Sequence, residues 1–73
     1  MLTTKQALKA GYKWKNSYWS YKFGDGYELC FEPLIWNNQM YVALYKDMEL
    51  LTEKVVVMPG YEVVKAEYKK EVD

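Results

Sequence analysis

Few side chains in this 73-residue chain have the chemistry that catalysis needs. The chain contains no His, the commonest acid–base group and metal ligand in proteins. Its one thiol, Cys30, lies in a predicted strand beside aromatic neighbours. Because Cys30 lacks the usual general base, we expect it to be a packed structural residue rather than a nucleophile.

The acidic residues do not form a catalytic pair either. Glu28 and Glu32 share one face of a predicted strand, but four residues at ~3.3 Å each separate them by about 13 Å. Even inverting glycosidases keep their two carboxyl groups within about 9.5 Å of each other. Asp47 and Glu49 could hold a cation weakly in a loop, and we interpret them as solvated charges. We therefore expect no enzyme activity, no cofactor, no metal site and no small-molecule substrate.

A run of lysines and aromatic residues has the composition of a nucleic-acid-binding site. Six aromatic residues fall between Tyr12 and Phe23. Proteins that bind single-stranded nucleic acid stack the bases on aromatic rings beside a positively charged groove. The residues that could do this here are Lys13, Trp14, Lys15, Tyr18 and Lys22. The chain has no Arg for bidentate contacts with guanine or phosphate, so nucleic acid is the less favoured partner.

Net charge does not favour a nucleic acid or a membrane surface, because ten Lys balance ten acidic residues. The distribution is uneven, since residues 1–23 hold five Lys and no acid, whereas the other residues hold five Lys and all ten acids. If the two ends of the chain pack together, much of this asymmetry is internal neutralisation. The use of Lys in place of Arg is typical of AT-rich coding, as in some phages.

Length and cysteine content indicate one small domain, residues 1–73, in a reducing compartment. A chain of this size buries about 60% of its unfolded surface, which leaves no room for a second domain or a large cofactor cavity. One Cys cannot form an internal disulfide. The chain has no apolar leader and no run of 18 apolar residues, so we expect a cytoplasmic protein that does not enter a membrane.

A short helix is predicted for residues 1–11. Thr3 and Gln6 have the spacing of a capping box, in which the two residues satisfy each other's free backbone donors. Gly11 supplies the left-handed residue that ends many helices. Two turns are too short to be stable alone, so Ala7 and Leu8 must pack on the rest of the domain.

Residues 12–68 predict an antiparallel sheet, with a bend near Asn16-Ser17. A three-residue loop at Gly24-Asp25-Gly26 places Lys22 opposite Glu28 on one face and apolar pairs on the other. The apolar pairs are Phe23 with Tyr27, Tyr21 with Leu29, and Trp19 with Phe31. A two-residue loop would oppose apolar to charged residues, so the longer loop is favoured. Because a strand and not a helix follows this Gly-rich segment, it predicts a turn rather than a phosphate site.

A second hairpin is predicted around Asn37-Asn38. Its register pairs Ile35 with Met40, Pro33 with Val42, and Phe31 with Leu44. These residues fall on the same face as Trp19 and Tyr21. Two independent turns therefore predict one common core face.

The C-terminal third is less clearly patterned. Asp47 to Thr52 reads as a polar connection, Lys54 to Met58 as a strand and Pro59-Gly60 as a turn. Residues 61–68 favour a further strand, with a helix that uses Tyr61, Val64 and Tyr68 as the alternative. Residues 69–73 are expected to be a frayed tail. The fold class is α+β, a helix packed on a meander of about five strands that could close into an SH3-like or other partly open barrel.

The second face of the sheet is unusually apolar, since Met40 to Tyr45 is an unbroken apolar run. Something must cover this face, whether the N-terminal helix, a later strand or a partner. Tyr and Trp are enriched at protein interfaces. The candidate protein-binding residues are Tyr18, Leu34, Trp36, Tyr41 and Tyr45.

The leading hypothesis from this pattern is a non-catalytic protein-interaction module. Its partner would be another protein or a second copy of the chain. A phage-type accessory protein or an inhibitor of a host protein would fit this description. The alternative is a single-stranded nucleic-acid-binding protein that uses the N-terminal lysines and aromatic residues.

Overall fold

The described parts of the chain form an open five-stranded antiparallel sheet with one short helix and one longer helix. The computed structural model describes residues 3–33, 39–57 and 60–72, apart from the side chain of Pro33. The elements are α1 (Thr4–Lys9), β1 (Lys13–Trp14), β2 (Trp19–Gly24), β3 (Tyr27–Pro33), β4 (Gln39–Lys46), β5 (Glu49–Val57) and α2 (Tyr61–Val72). The strand order is β1-β2-β3-β4-β5, so β1 and β5 are the edges and the sheet is not closed into a barrel. The α+β class is confirmed.

Helix α1 begins with the predicted capping box. The backbone N–H of Gln6 donates to Thr3 Oγ1 at 3.2 Å, and the Thr3 N–H donates to Gln6 Oε1 at 2.9 Å. Ala7 and Ala10 are buried in the core, which supplies the packing that two turns need. The expectation that Leu8 packs beside Ala7 is wrong, because Leu8 is 59% exposed. Gly11 follows with a φ of +95°, and its backbone lies against the ring of Tyr21.

The hairpin of β2 and β3 largely follows the predicted pattern. Asn16, with a φ of +68°, lies in a reversal that pairs β1 with β2 as an additional hairpin, where only a bend was predicted. The predicted pairs Trp19 with Phe31, Tyr21 with Leu29, and Lys22 with Glu28 are confirmed. The predicted three-residue loop and the predicted pair of Phe23 with Tyr27 are both wrong, because Gly24 lies opposite Tyr27 and the loop is the two residues Asp25-Gly26. A bulge between Lys22 and Gly24 keeps the other predicted pairs in place. Phe23 still packs against the core.

The predicted register of β3 and β4 is wrong by two residues. Phe31 lies opposite Val42 rather than Leu44, and Pro33 lies opposite Met40. Because side chains alternate with a period of two, an even shift keeps every residue on its predicted face. The predicted Asn37-Asn38 turn and Ile35 lie outside the described residues.

The segment after β4 is a tight hairpin rather than the predicted polar connection. Asp47 and Met48 have φ values of +50° and +71°, and β5 begins directly at Glu49. Two consecutive residues with positive φ are the feature of the two-residue turn whose twist matches a hairpin. The two extended strands can therefore pair immediately, and the strand starts five residues earlier than Lys54.

Residues 61–72 form a helix, so the strand predicted for 61–68 is wrong and its helical alternative is confirmed. The frayed tail predicted from residue 69 is wrong for residues 69–72. Tyr61, Val64 and Tyr68 recur at helical spacing, and all three are buried. Burial of this face stabilises a helix by about 1.5–3 kcal/mol for each large side chain, which outweighs the local β preference of two adjacent valines. Val72, in the last turn, packs against the same cluster.

The core lies between the two helices and one face of the sheet. The buried cluster combines Ala7 of α1, Ala10 at the C-terminal cap of that helix, three residues of α2 and the large apolar residues of β2, β3 and β4. Tyr12 is at its centre, with its ring near those of Tyr21, Phe31 and Tyr61. Both helices therefore pack on the same side of the sheet.

Candidate protein-binding face of the sheet

Both α1 and α2 pack on one side of the sheet, and the opposite side is here called the far face. Strand alternation places on it the side chains that follow or precede the core residues. Its described residues are Lys13, Tyr18, Ser20, Lys22, Glu28, Cys30, Glu32, Gln39, Tyr41, Ala43, Tyr45, Leu50, Glu53, Val55 and Val57. The N-terminal helix, one of the three covers expected for this face, packs on the opposite side.

A groove of about 280 Å³ runs across the middle of the far face. We call it the tyrosine groove, and its lining consists of Tyr18, Glu28, Cys30, Glu32, Tyr41, Tyr45 and Met48. Strand β3 supplies the carboxylates and the thiol, β4 supplies two of the rings, and the β4–β5 turn supplies Met48. The groove thus combines three phenol rings with two carboxylates and has no lysine in its lining.

Hydrogen bonds fix two side chains at the edges of the tyrosine groove. The Ser20 hydroxyl donates to Glu28 Oε2, and the Tyr41 hydroxyl donates to Glu53 Oε2 on β5. The bond to Glu53 raises the pKa of Tyr41 to about 12. Burial and the nearby Glu28 carboxylate raise the pKa of Tyr18. Both phenols therefore stay neutral at physiological pH.

Cys30 lies at the floor of the tyrosine groove as a half-buried free thiol. Burial and the nearby Glu28 carboxylate raise its pKa to about 11. The thiolate is the reactive form of Cys, and an environment that disfavours it makes a poor nucleophile. Cys30 here has the properties of a packing residue.

Three of the five candidate protein-binding residues come together in this groove. Tyr18, Tyr41 and Tyr45 all line it, although Tyr18 is far from the other two in sequence. Leu34 and Trp36 lie outside the described residues. Their shared face could be predicted because side chains alternate between the two faces of a strand with a period of two.

Sequence reasoning missed the contribution of β5 and the turn before it. Met48 is 95% exposed at the mouth of the tyrosine groove, and Val55 and Val57 lie beyond it on the outer strand, 51% and 69% exposed. Met48 was missed because residues 47–52 read as a connection, whereas Val55 and Val57 lie in the predicted strand but were not assigned to a face. The turn that extends this strand back to Glu49 is made by Asp47 and Met48 and has no glycine to mark it in the sequence.

The five nucleic-acid candidates are divided between separate places. Lys13, Lys15 and Lys22 line a second cavity of about 230 Å³, here called the lysine cavity, at the β1–β2 edge. Trp14 points to the core side, where its ring meets that of Trp19 at 5.2 Å. Tyr18 lines the tyrosine groove. The lysines therefore converge, but the two candidate stacking rings lie on opposite faces of the sheet.

Comparison of the chain with protein-family models, curated proteins and solved structures gives no significant match. Within residues 3–33, 39–57 and 60–72, acidic and thiol side chains nowhere gather in threes that could hold a metal ion. Neither helix in this part of the chain is long and apolar enough to cross a membrane. Function must therefore be argued from the geometry of the two faces.

Proposed function

We propose that this protein is a non-catalytic interaction module that binds another protein through the far face. One observation carries the proposal: both helices pack on the same side of the sheet. The opposite side is left with half-buried Tyr18, Tyr41 and Tyr45 and with exposed Val55 and Val57. Antiparallel sheets commonly leave one face to water, but such a face is normally polar.

The composition of the far face suits a protein partner. Tyrosine presents a large apolar ring with a polar end, so it tolerates both water and contact, and it is enriched at binding hot spots. Tyr41 is held in place by Glu53, and β3 and β4 pair along their full length. A rigid strand platform loses little conformational entropy on binding.

The same residues support a non-catalytic role. The tyrosine groove offers one thiol, Cys30, whose pKa is raised to about 11 by burial and by Glu28. A catalytic Cys needs the opposite shift and a neighbouring base. Neither the phenols nor the carboxylates of the groove supply an activated nucleophile.

Charge favours a different protein over a second copy as the partner on this face. Strand β3 is the middle strand, so stacking two far faces about a two-fold axis would place β3 over β3. Glu28 and Glu32 of one copy would then face the same carboxylates of the other. The narrower interpretation, a phage-type accessory protein or inhibitor, rests on the use of Lys in place of Arg alone.

Two matched variants test the proposal. Val55 on the far face and Val63 on α2 are 51% and 63% exposed, so each can become Asp without entering the core. Immobilised wild type, Val55→Asp and Val63→Asp would be used to capture proteins from cells that make this chain, with quantification by mass spectrometry. We expect a partner retained by wild type and Val63→Asp to be lost by at least about tenfold with Val55→Asp.

Circular dichroism must show that both Asp variants are folded. The proposal fails if the captured proteins are the same for the three baits. It also fails if Val63→Asp alone loses them.

A second candidate function, single-stranded nucleic-acid binding, is favoured by one observation, the convergence of Lys13, Lys15 and Lys22. Three phosphate contacts would give a log-log salt slope near −2 for single strands. Tryptophan fluorescence during titration with single-stranded DNA at low and moderate salt tests this function. An unchanged signal at low salt would eliminate it.

A further inference from the structure

We propose that the tyrosine groove binds a positively charged side chain, a Lys or an Arg, from a basic segment of the partner protein. The inference rests on the proposed function and names the partner chemistry that the groove would recognise. Three features carry it: the charge of the lining, the free faces of its rings and its size.

The lining of the groove carries negative charge and no positive charge. Glu28 and Glu32 are its only ionic groups among the residues named above for its lining. Within the described parts of the chain, no lysine nitrogen lies within 4.0 Å of either carboxylate. Lys22, which lies opposite Glu28 in the sheet, lines the lysine cavity instead. A cation entering the groove would therefore meet attraction that no described lysine already satisfies.

The rings of the groove are also available to a cation. Elsewhere the chain places a lysine over three tyrosines: Lys46 over Tyr27, Lys54 over Tyr68 and Lys65 over Tyr21, at 4.2 to 5.4 Å from the ring centres. No lysine of the described residues lies over Tyr18, Tyr41 or Tyr45 in this way. A cation held near a tyrosine ring gains from its negative face, and more so where water is displaced.

The phenols of Tyr18 and Tyr41 stay neutral over the physiological pH range. The pKa of Tyr41 is raised to about 12, first by its hydrogen bond to Glu53, and the pKa of Tyr18 is raised by burial and by the Glu28 carboxylate. Burial and the same carboxylate raise the pKa of Cys30 to about 11. The negative charge of Glu28 that opposes ionisation of Tyr18 and Cys30 also attracts an ammonium or a guanidinium.

Size and the position of the lysine cavity restrict how the ligand lies. About 280 Å³ is just below the range of drug-sized ligand pockets, and it accommodates one long side chain. The three lysines at the β1–β2 edge repel a basic segment. Such a segment would therefore cross the sheet on the β4–β5 side, where Glu53 lies.

The test uses a blocked peptide, acetyl-Gly-Gly-Arg-Gly-Gly-amide, and the same peptide with neutral citrulline in place of Arg. Amide chemical shifts of the 15N-labelled full chain would be followed during titration. We expect the Arg peptide to shift the amides of Tyr18, Cys30 and Tyr45, and to bind at least about fivefold more tightly than the citrulline peptide.

Two charge variants separate the groove from general attraction. Glu32→Gln removes a groove carboxylate, and Glu71→Gln makes the same charge change on α2, across the sheet. We expect binding of the Arg peptide to weaken about two- to fivefold with Glu32→Gln and to stay within about twofold with Glu71→Gln. Tyr45→Phe should keep the affinity that Tyr45→Leu loses, because the ring and not the hydroxyl makes the contact.

The inference is overturned if the citrulline peptide binds equally well, or if the shifted amides surround the lysine cavity instead. Its failure can be told apart from failure of the proposed function. If the Arg peptide does not bind the groove but Val55→Asp still loses the captured partner, the far face is an interface of different chemistry. If the Arg peptide binds but Val55→Asp captures the same proteins as wild type, the cation site is supported and the proposed function is contradicted.

Discussion

Tyr12 is the residue that ties the two ends of the chain together. Its hydroxyl donates to the backbone carbonyl of Tyr61 at 2.8 Å, across 49 positions of sequence. Its ring is buried beside those of Tyr21, Phe31 and Tyr61. Burial, together with the charge of Glu62, raises the pKa of this phenol well above its ordinary value.

Loss of the Tyr12 hydroxyl should destabilise the protein in a pH-dependent way. Tyr12→Phe leaves the Tyr61 carbonyl without its donor, which costs about 1 kcal/mol at pH 7. An unfolded tyrosine ionises near pH 10, whereas buried Tyr12 keeps its proton. Its contribution is therefore complete below pH 10 and is lost as the pH rises further. Urea unfolding at pH 7, 9 and 11 should show the two proteins converging at pH 11.

Tyr45→Phe serves as the control, because Tyr45 lies outside the core. A constant gap between wild type and Tyr12→Phe from pH 7 to pH 11 would show that Tyr12 does not titrate as described.

Cys30 should react slowly and with a displaced pH profile. Its pKa is raised from an ordinary value of 9.0 to about 11 by burial and by Glu28. Because the thiolate is the nucleophile, the rate of alkylation by iodoacetamide in the folded protein should keep rising up to about pH 11. The urea-unfolded chain should level off near pH 9. A plateau near pH 9 in the folded protein would contradict this account.

Among the elements, the strands whose faces could be predicted are those with strict alternation. Trp19, Leu29 and Phe31 lie on the core face as expected. The residues of β3 and β4 also lie on their predicted faces, although the register between these strands differs from the prediction by two residues. Alternation fixes a face, but the pairing partner depends on the turn and on packing across the sheet.

Helix α2 shows where local pattern is insufficient. Val63 and Val64 have a β preference, and the preceding strands suggested another strand by neighbourhood. What decides is tertiary contact, because Tyr61, Val64 and Tyr68 can all reach the core only at helical spacing. Propensity differences of a few tenths of a kcal/mol cannot oppose burial of three such side chains.

The join between α1 and the sheet should be sensitive to a single methyl group. A Cβ added at Gly11 would lie 3.0 Å from Tyr21 Cε1, whereas one added at Gly24 has no heavy atom within 4 Å. Both glycines have positive φ, +95° and +106°, so both substitutions carry backbone strain. We expect Gly11→Ala to cost about 1–2 kcal/mol more than Gly24→Ala in urea unfolding. Equal costs would mean that the Tyr21 ring does not lie against Gly11.

At the scale of the whole molecule, the described residues form two layers, the sheet and the pair of helices on one side of it. Neither of these helices covers the far face. The α+β class and the shared face of Tyr18, Tyr41 and Tyr45 followed from the sequence. Alternation also placed Glu28 and Glu32 on that face, but the groove that brings them together with the rings did not follow from the sequence, because it depends on how β2, β3 and β4 pair. The closeness of Trp14 and Tyr18 in the sequence likewise suggested one basic aromatic surface. In the structure the two rings lie on opposite faces of the sheet.

The C-terminal helix should be indispensable except for its last turn. Removal of residues 61–73 takes Tyr61, Val64 and Tyr68 out of the core and exposes Tyr12 to water. We expect this truncated chain to lose its cooperative thermal transition in circular dichroism. Removal of residues 69–73 alone deletes the partly buried Val72 and should leave the transition in place at a lower temperature. A cooperative transition without residues 61–73 would show that α2 is not part of the core.

The most direct test of the central claim is site-specific photo-crosslinking in the cells that make the protein. A benzophenone amino acid would be placed at Val57 on the far face or at Val63 on α2, which are 69% and 63% exposed. We predict a covalent adduct with one other protein from position 57 and none from position 63. An adduct from position 63 as abundant as that from position 57, or none from position 57, would contradict the assignment of the far face as the interaction surface.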